Sequence, residues 1–220
     1  MYPFVKRFFD LIFSIFFILI LTPPLIPIIL GLLISGEGYV FYFQKRIGWK
    51  NKDFYIWKFA TMLKNSMNMG TGSITLRNDP RVTPLGRFLR KTKINELPQI
   101  INVLKGELSL VGPRPLVQKT FDAYPLEIKQ EIYKTKPGIT GIGSIVFRDE
   151  EKLISDSQMD PHEFYKIKIA PHKGALEMWY KKNASFSTDL KILLLTVLTI
   201  IQPNSMLYKK WFHGLPIRNF

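Results

Sequence analysis

The stretch "LIFSIFFILILTPPLIPIILGLLISG", residues 11–36, carries no charged side chain and decides what kind of fold the chain can have. About 20 consecutive apolar residues cross the hydrocarbon core of a bilayer, so its length suits a membrane segment. A cleaved signal peptide fits poorly: no small-residue cleavage site follows, and Pro23, Pro24 and Pro27 lie inside. Proline removes a backbone donor, clashes with the preceding helical turn and biases the residue before it away from α. A break at Thr22, Pro23 and Pro24 therefore predicts two half-helices, 11–21 and 25–34, each roughly 15 Å long, about half of the core thickness.

Charge on the flanks bears on the shape. Lys6 and Arg7 precede the segment, and Lys45, Arg46, Lys50 and Lys52 follow it, so both flanks favour the cytoplasmic side. A helix that enters, bends at the prolines and leaves on the same face satisfies both observations. A kinked single span and a buried core helix are the other shapes open. The working division is 1–36 as a re-entrant membrane helix and 37–220 as a cytoplasmic-face domain. A second apolar run, "LKILLLTVLTII" (190–201), is too short to span and suits either an interfacial or a core helix. Trp179, Tyr180, Lys181 and Lys182 form an aromatic and basic cluster of the kind found at headgroup level.

The chain has 31 Lys+Arg against 17 Asp+Glu, a formal charge of +14, which points to an anionic partner: phospholipid, nucleic acid or a phosphorylated small molecule. Nucleic acid is disfavoured, because a soluble protein would leave residues 11–36 exposed. There is no cysteine, so disulfide and thiolate chemistry are excluded. His162, His172 and His213 match no zinc spacing, which leaves a hard cation on oxygen ligands as the metal to expect, if any.

Within 37–220 the pattern predicts an α+β domain, mostly helical with short strands. "YVFYFQKRIG" and "DFYIWKFATM", separated by "WKNK", read as a pair of strands. "NSMNMGTGSIT" is a polar loop without the Lys-Ser/Thr ending of a phosphate-binding loop. "TPLGRFLRKT" has helical spacing, and Leu97, Ile100, Ile101 and Leu104 define an amphipathic helix closed by Gly106. "ELSLVGPRP" reads as a short strand running into a rigid turn, and residues 116–134 as a helix broken at Pro125. Gly138, Gly141 and Gly143 read as a loop followed by a strand-like stretch; they do not match the dinucleotide fingerprint.

Two features in this region suggest chemistry. In "INELPQI" Asn95 reads as the N-cap of a helix carrying Pro98 in its first turn, which puts Glu96 at the positive helix end, ionised. Asn95 as a cap alone is the bland reading. In "GPRP" Arg114 sits between two prolines, a stiff mount suited to bidentate phosphate binding. Lys58, Arg90, Lys91 and Lys93 add positive charge, and an anionic, phosphorylated substrate at a membrane surface follows as the expectation.

"KFATM", "DPRVTPLGRFLRKTKINELPQIINVLKGELSLVGPRPL" and "KPGITG", behind the proline-broken segment, resemble the bacterial monotopic phosphoglycosyl transferases, over nearly the whole chain. The resemblance implies transfer of a sugar-1-phosphate from a UDP-sugar, the nucleotide-sugar donor, to undecaprenyl phosphate, a polyprenyl phosphate. It implies Mg²⁺, a re-entrant helix and a place on the cytoplasmic face of the bacterial inner membrane, at the start of glycan or exopolysaccharide assembly. Phosphate-binding roles fall to Arg114, Lys58 and Arg90. It also implies an Asp-Glu dyad whose Asp attacks phosphorus, and here the sequence departs: Asn95 occupies the Asp position. Ala60 likewise stands where a basic residue is commoner. Three readings stay open. Glu96 is the nucleophile; or the lipid phosphate attacks directly with Glu96 as Mg²⁺ ligand or base; or the chain is an inactive membrane scaffold. The catalytic assignment rests on Glu96, with Asn95 beside it. Asp79, Glu107 and Asp149 are further metal-ligand candidates. The sugar and the oligomeric state, a homodimer included, are not readable.

Overall fold

The computed structural model describes residues 2–35, 37–69, 75–76, 78–203, 205–218 and 220. The first helix, α1 (Tyr2–Ile34), begins well before the uncharged run and passes unbroken through all three prolines. The expected division into two halves at Thr22–Pro24 is thereby corrected. The ring of proline fixes φ near the helical value, and three prolines delete only the N–H groups that would have bonded to Leu19, Ile20 and Pro23. Thr22 stays in register, its Oγ1 donating to the Ile18 carbonyl at 2.6 Å.

Both ends of α1 are tied to the rest of the chain. β1 (Phe41–Ile47) and β2 (Asp53–Phe59) form an antiparallel hairpin closed by a tight turn at Trp49–Asn51. α2 (Pro84–Lys91) is capped by Thr83, whose Oγ1 accepts from the Gly86 N–H at 3.0 Å. α3 (Ile100–Lys105) ends at Gly106, with φ +83°, in the left-handed region that glycine adopts freely. The expected stripe on this helix is only half right: Ile100 and Val103 are buried, whereas Leu97, Ile101 and Leu104 are half-buried. Arg7 reaches across to donate to the Val103 and Leu104 carbonyls at 2.6 and 3.0 Å, neutralising the negative end of α3. At the other end of α1, Leu32 is buried with Phe59 and Leu89, and Leu25, Ile28 and Ile29 pack against them. Between these anchors Phe16, Leu19, Ile20 and Ile26 are exposed.

β3 (Ser109–Val111) pairs in parallel with β4 (Gly138–Thr140), Ser109 opposite Gly138 and Val111 opposite Thr140. Between them run α4 (Gln118–Asp122) and α5 (Leu126–Glu131), separated at Pro125 as the sequence predicts. After β4 the sequence-based expectation fails: residues 142–146 form a helix, α6 (Ile142–Val146), rather than a strand. Ile142, Ile145 and Val146 fall at i, i+3 and i+4, so a helix buries all three on one face. α7 (Glu150–Asp156), α8 (Pro161–Phe164) and a π-helical turn at Tyr165–Ile169 lead into α9 (Ala170–Asn183).

α10 (Phe186–Ile201) serves two environments. Ile192, Leu195 and Thr199 are buried, while Leu190, Leu194, Val197 and Ile201 face outward. The core reading holds for one face of this helix, and the other face is exposed and apolar. Tyr180 is corrected: it is 1% exposed and donates to Asp189 at 2.6 Å instead of sitting with Trp179 at the surface. Asp189 also accepts from Tyr2 and Lys6, and Asp10 accepts from Ser109 Oγ and the Leu110 N–H at 3.1 and 3.0 Å. The start of α1 is therefore pinned by polar contacts and its end by apolar ones. α11 (Leu207–Trp211) closes the chain against this core.

Candidate active site

The hairpin supplies the first wall. Side chains alternate across a strand, and the register pairs Tyr42 with Lys58, Gln44 with Ile56 and Arg46 with Phe54. Lys58, Gln44 and Arg46 consequently share the inward face, while Phe43, Lys45, Tyr55 and Trp57 share the other. Asn102 fixes α3 to this hairpin: it accepts from the Trp57 N–H at 3.0 Å and donates to the Tyr55 carbonyl at 2.8 Å.

The second wall is the segment Ile94–Gln99, which is a 3₁₀ helix and not the first turn of an α-helix. Asn95 does not cap it; Lys93, at φ +62°, precedes the turn, and Asn95 lies inside. The reason is local. An Asn95 cap would accept from the backbone N–H two or three residues on, and at the third position Pro98 has none. Asn95 is instead buried, 6% exposed, with its Oδ1 lacking a hydrogen-bond partner.

Glu96 comes out of this turn into a ring of cations. Arg114 grips it with both terminal nitrogens, Nη1 to Oε2 at 3.2 Å and Nη2 to Oε1. Lys58 Nζ lies 3.4 Å from Oε1. Burial alone would raise the Glu96 carboxyl, but Arg114 and Lys58 override it and hold it well below the usual carboxylate range. Its ionisation thus comes from these cations rather than from a helix dipole. Burial pushes the Lys58 ammonium down to about 7, against the pull of Glu96 and with help from the charges of Arg46 and Arg114. Arg46, which the sequence reading used only as a flanking charge, faces the same space and is pushed down to about 10 by burial and by Arg114. The alternation in "YFQKR" was the signal that could have found it.

Arg90 does not join them. It is paired with Glu151 at 2.8 Å and acts on Lys58 only at longer range. Lys91 points outward, whereas the charge of Lys93 reaches Glu96. The glycines of the 65–75 loop, Gly70 and Gly72, lie outside the described residues.

The other metal-ligand candidates are engaged elsewhere: Asp79 with Arg81, Glu107 with Asn102, Asp149 with Arg218. Among the described residues no three His, Asp or Glu side chains converge. Mg²⁺ characteristically takes one or two carboxylates plus substrate phosphates, and Glu96 fits that pattern. Its Oε1 serves both Arg114 and Lys58, whereas among the described residues Oε2 meets Arg114 alone. One ionised carboxylate among Arg114, Lys58, Arg46 and Lys93 leaves a surplus of positive charge, which is what a diphosphate requires.

A family model described as bacterial sugar transferase matches residues 1–203. The chain belongs to this family. Among curated family members, the UDP-glucose:undecaprenyl-phosphate glucose-1-phosphate transferase of Escherichia coli (strain K12) is 40% identical over 195 residues, 87% of this chain and 39% of that protein. The UDP-N-acetylgalactosamine-undecaprenyl-phosphate N-acetylgalactosaminephosphotransferase of Aeromonas hydrophila is 34% identical over 203 residues, 91% of this chain and 44% of that one. The uncharacterized sugar transferase EpsL of Bacillus subtilis (strain 168) is 37% identical over 196 residues, 89% and 87% of the two. The chain spans less than half the length of the first two relatives and most of the third.

The depressed Lys58 makes anion binding pH-dependent. As pH rises through about 7 the ammonium is lost, so binding of inorganic diphosphate in this basin is expected to weaken between about pH 6 and 8. Stability moves the other way. The folded value lies below the unfolded one, so folding is favoured increasingly above about pH 7, once the buried charge is gone. Lys58→Arg, which stays protonated, should flatten that profile; an unchanged slope would show that Lys58 does not contribute to anion binding there.

Proposed function

We propose that this protein transfers a sugar-1-phosphate from a UDP-sugar to undecaprenyl phosphate, releasing UMP. The observation that carries the reading is the surplus-cation basin around ionised Glu96, on a domain that also holds both ends of a long apolar helix. Curated relatives whose names describe this transfer support it. An acceptor phosphate oxygen attacks the sugar-linked phosphorus, a new P–O bond forms as the P–O bond to the uridylate breaks, and UMP leaves with the electron pair. Arg114, Lys58 and Arg46 neutralise charge on the phosphates, and positioning with charge neutralisation is most of what phosphoryl transfer needs. Mg²⁺ bound at Glu96 Oε2 with the diphosphate would add Lewis-acid charge neutralisation.

Asn95 cannot form an acyl phosphate, and Glu96, strongly acidic and gripped by Arg114, is a poor nucleophile and a poor base. Direct attack by the acceptor follows, with Glu96 as ligand. The test is UMP release across a panel of UDP-sugars with Mg²⁺, with and without undecaprenyl phosphate. Release is expected only with the acceptor present. A burst of one UMP per chain without it, with the sugar phosphate retained on the protein, would point to a covalent intermediate, and no release from any donor would leave the scaffold reading.

The same reading places residues 1–36 as a re-entrant helix and 37–220 on the cytoplasmic face of the inner membrane. Support comes from α1 itself, since Tyr2–Asp10 and Leu25–Leu32 contact one domain and the flanks on both sides are basic. The chain has no cysteine, so single cysteines at Phe4 and Lys52 can report sidedness. Both are expected to react with an impermeant maleimide in inside-out vesicles and neither in right-side-out ones. Opposite sidedness would make α1 a full span.

A further inference from the structure

The GPRP turn poses a hydrogen-bonding problem that its own backbone cannot solve. Pro115 offers no N–H, and the turn leaves the Arg114 carbonyl and the Leu116 N–H without a ladder partner inside it. One side chain answers both. The Tyr133 hydroxyl donates to the Arg114 carbonyl at 2.9 Å and accepts from the Leu116 N–H at 2.9 Å, bridging Pro115. Tyr133 is 1% exposed and its ring stacks on Phe121, centroids 5.8 Å apart and planes 17° apart. Its position is therefore fixed before it fixes anything else.

The remaining contacts of the turn are backbone bonds to β4 and β1, with one from Arg46. Gly112 N–H donates to Thr140 at 2.9 Å, Gly138 N–H to Pro113 at 2.9 Å, Ile47 N–H to Leu116 at 2.8 Å, and Arg46 Nη1 to Pro115 at 3.2 Å. These hold the flanks; the Arg114 carbonyl itself is held by Tyr133.

We propose that Tyr133 is a positioning residue, which sets the backbone of Arg114 so that its guanidinium meets Glu96 and the phosphates of the donor. The phosphate half of this statement rests on the transfer reading above; the Glu96 half does not. Among the described residues Tyr133 makes no hydrogen bond to Glu96, and its own bonds go to the two ends of the Arg114–Leu116 turn, so its effect on Glu96 passes through the turn that carries Arg114.

The experiment is a double-mutant cycle of Y133F with R114A, read in two ways on the full chain in detergent micelles. In the first, UDP binding is measured by calorimetry. Y133F is expected to weaken UDP about fivefold to tenfold in the natural background and less than about twofold in R114A. In the second, Tm is measured without ligand. Y133F alone should lower Tm by about 4–10 °C, and by clearly less in the R114A background. Equal losses in both backgrounds, or no loss at all, would overturn the proposal. If the natural protein binds no UDP, the transfer reading fails while the Tm cycle still decides Tyr133. 3-Fluorotyrosine at 133, which keeps ring and hydroxyl, should retain natural Tm and UDP affinity; a loss there would also overturn it.

Discussion

Glu96→Gln is expected to slow UMP release by about 10²–10³-fold while the protein still folds. The substitution is isosteric, so the 3₁₀ turn at Ile94–Gln99 keeps its shape. What changes is charge. Without the carboxylate, Lys58 loses the one contact that favours its ammonium form, and burial then drives it neutral at pH 7. Arg114, 35% exposed at its side chain, turns toward water instead of the reaction space. The carboxylate that would hold the proposed Mg²⁺ becomes a neutral amide at the same time. Glu96→Asp should recover little, because the shorter side chain cannot take the guanidinium fork from the same backbone position. Turnover within about threefold of the natural protein would show that the carboxylate is a bystander.

Gly138→Ala should cost at least about 3 kcal/mol of stability, beyond ordinary overpacking. A Cβ there would stand 2.1 Å from Gly112 N, 2.5 Å from Val111 C and 2.7 Å from Thr140 O. All three are backbone atoms of β3, β4 and the start of the GPRP turn, so no rotamer change can make room. The strands must separate, and Arg114 moves with them, so activity should fall with stability. Gly214→Ala is the control. Its φ of +66° strains an alanine, but the nearest atom is Trp179 Nε1 at 4.0 Å, and a cost of about 1 kcal/mol is expected. Urea unfolding in micelles distinguishes the two; equal midpoints would refute the steric argument.

Much of the fold was legible where one local rule acted alone. The hairpin followed from aromatic and β-branched content, α2 from the helical spacing of "TPLGRFLRKT", the end of α3 from Gly106, and the break at Pro125 from proline geometry. The misreadings arose where two rules competed. Prolines at 23, 24 and 27 promised a break, but their φ suits a helix and the neighbouring turns carried it through. Asn95 has the chemistry of a cap, and Pro98 withdrew the N–H it needed. Residues 144–148 look β-branched and aromatic, yet the core rewards the helical spacing of Ile142, Ile145 and Val146.

At the site, Glu96, Lys58 and Arg114 were legible as chemistry-bearing residues and do converge. Arg90 was drawn from the same basic run, but Glu151, 61 residues away in sequence, claims it. Arg46 and Tyr133 went unread for the same kind of reason. One depends on which face of a strand is buried, and the other on a turn formed 17 residues before it.

The hairpin formed by β1 and β2 is a partition one residue thick. Its even-numbered side chains Gln44, Arg46 and Lys58 face the Glu96 side, and its odd-numbered ones nearest the turn, Phe43 and Tyr55 among them, are exposed on the other. Two sets of demands can be tuned independently on the same fourteen residues, provided length is preserved. Deleting a single residue of β2 ahead of Trp57 would reverse that strand's faces beyond the cut, sending Lys58 outward and Trp57 in, whereas deleting two residues from each strand would shorten the wall and leave its two sides intact.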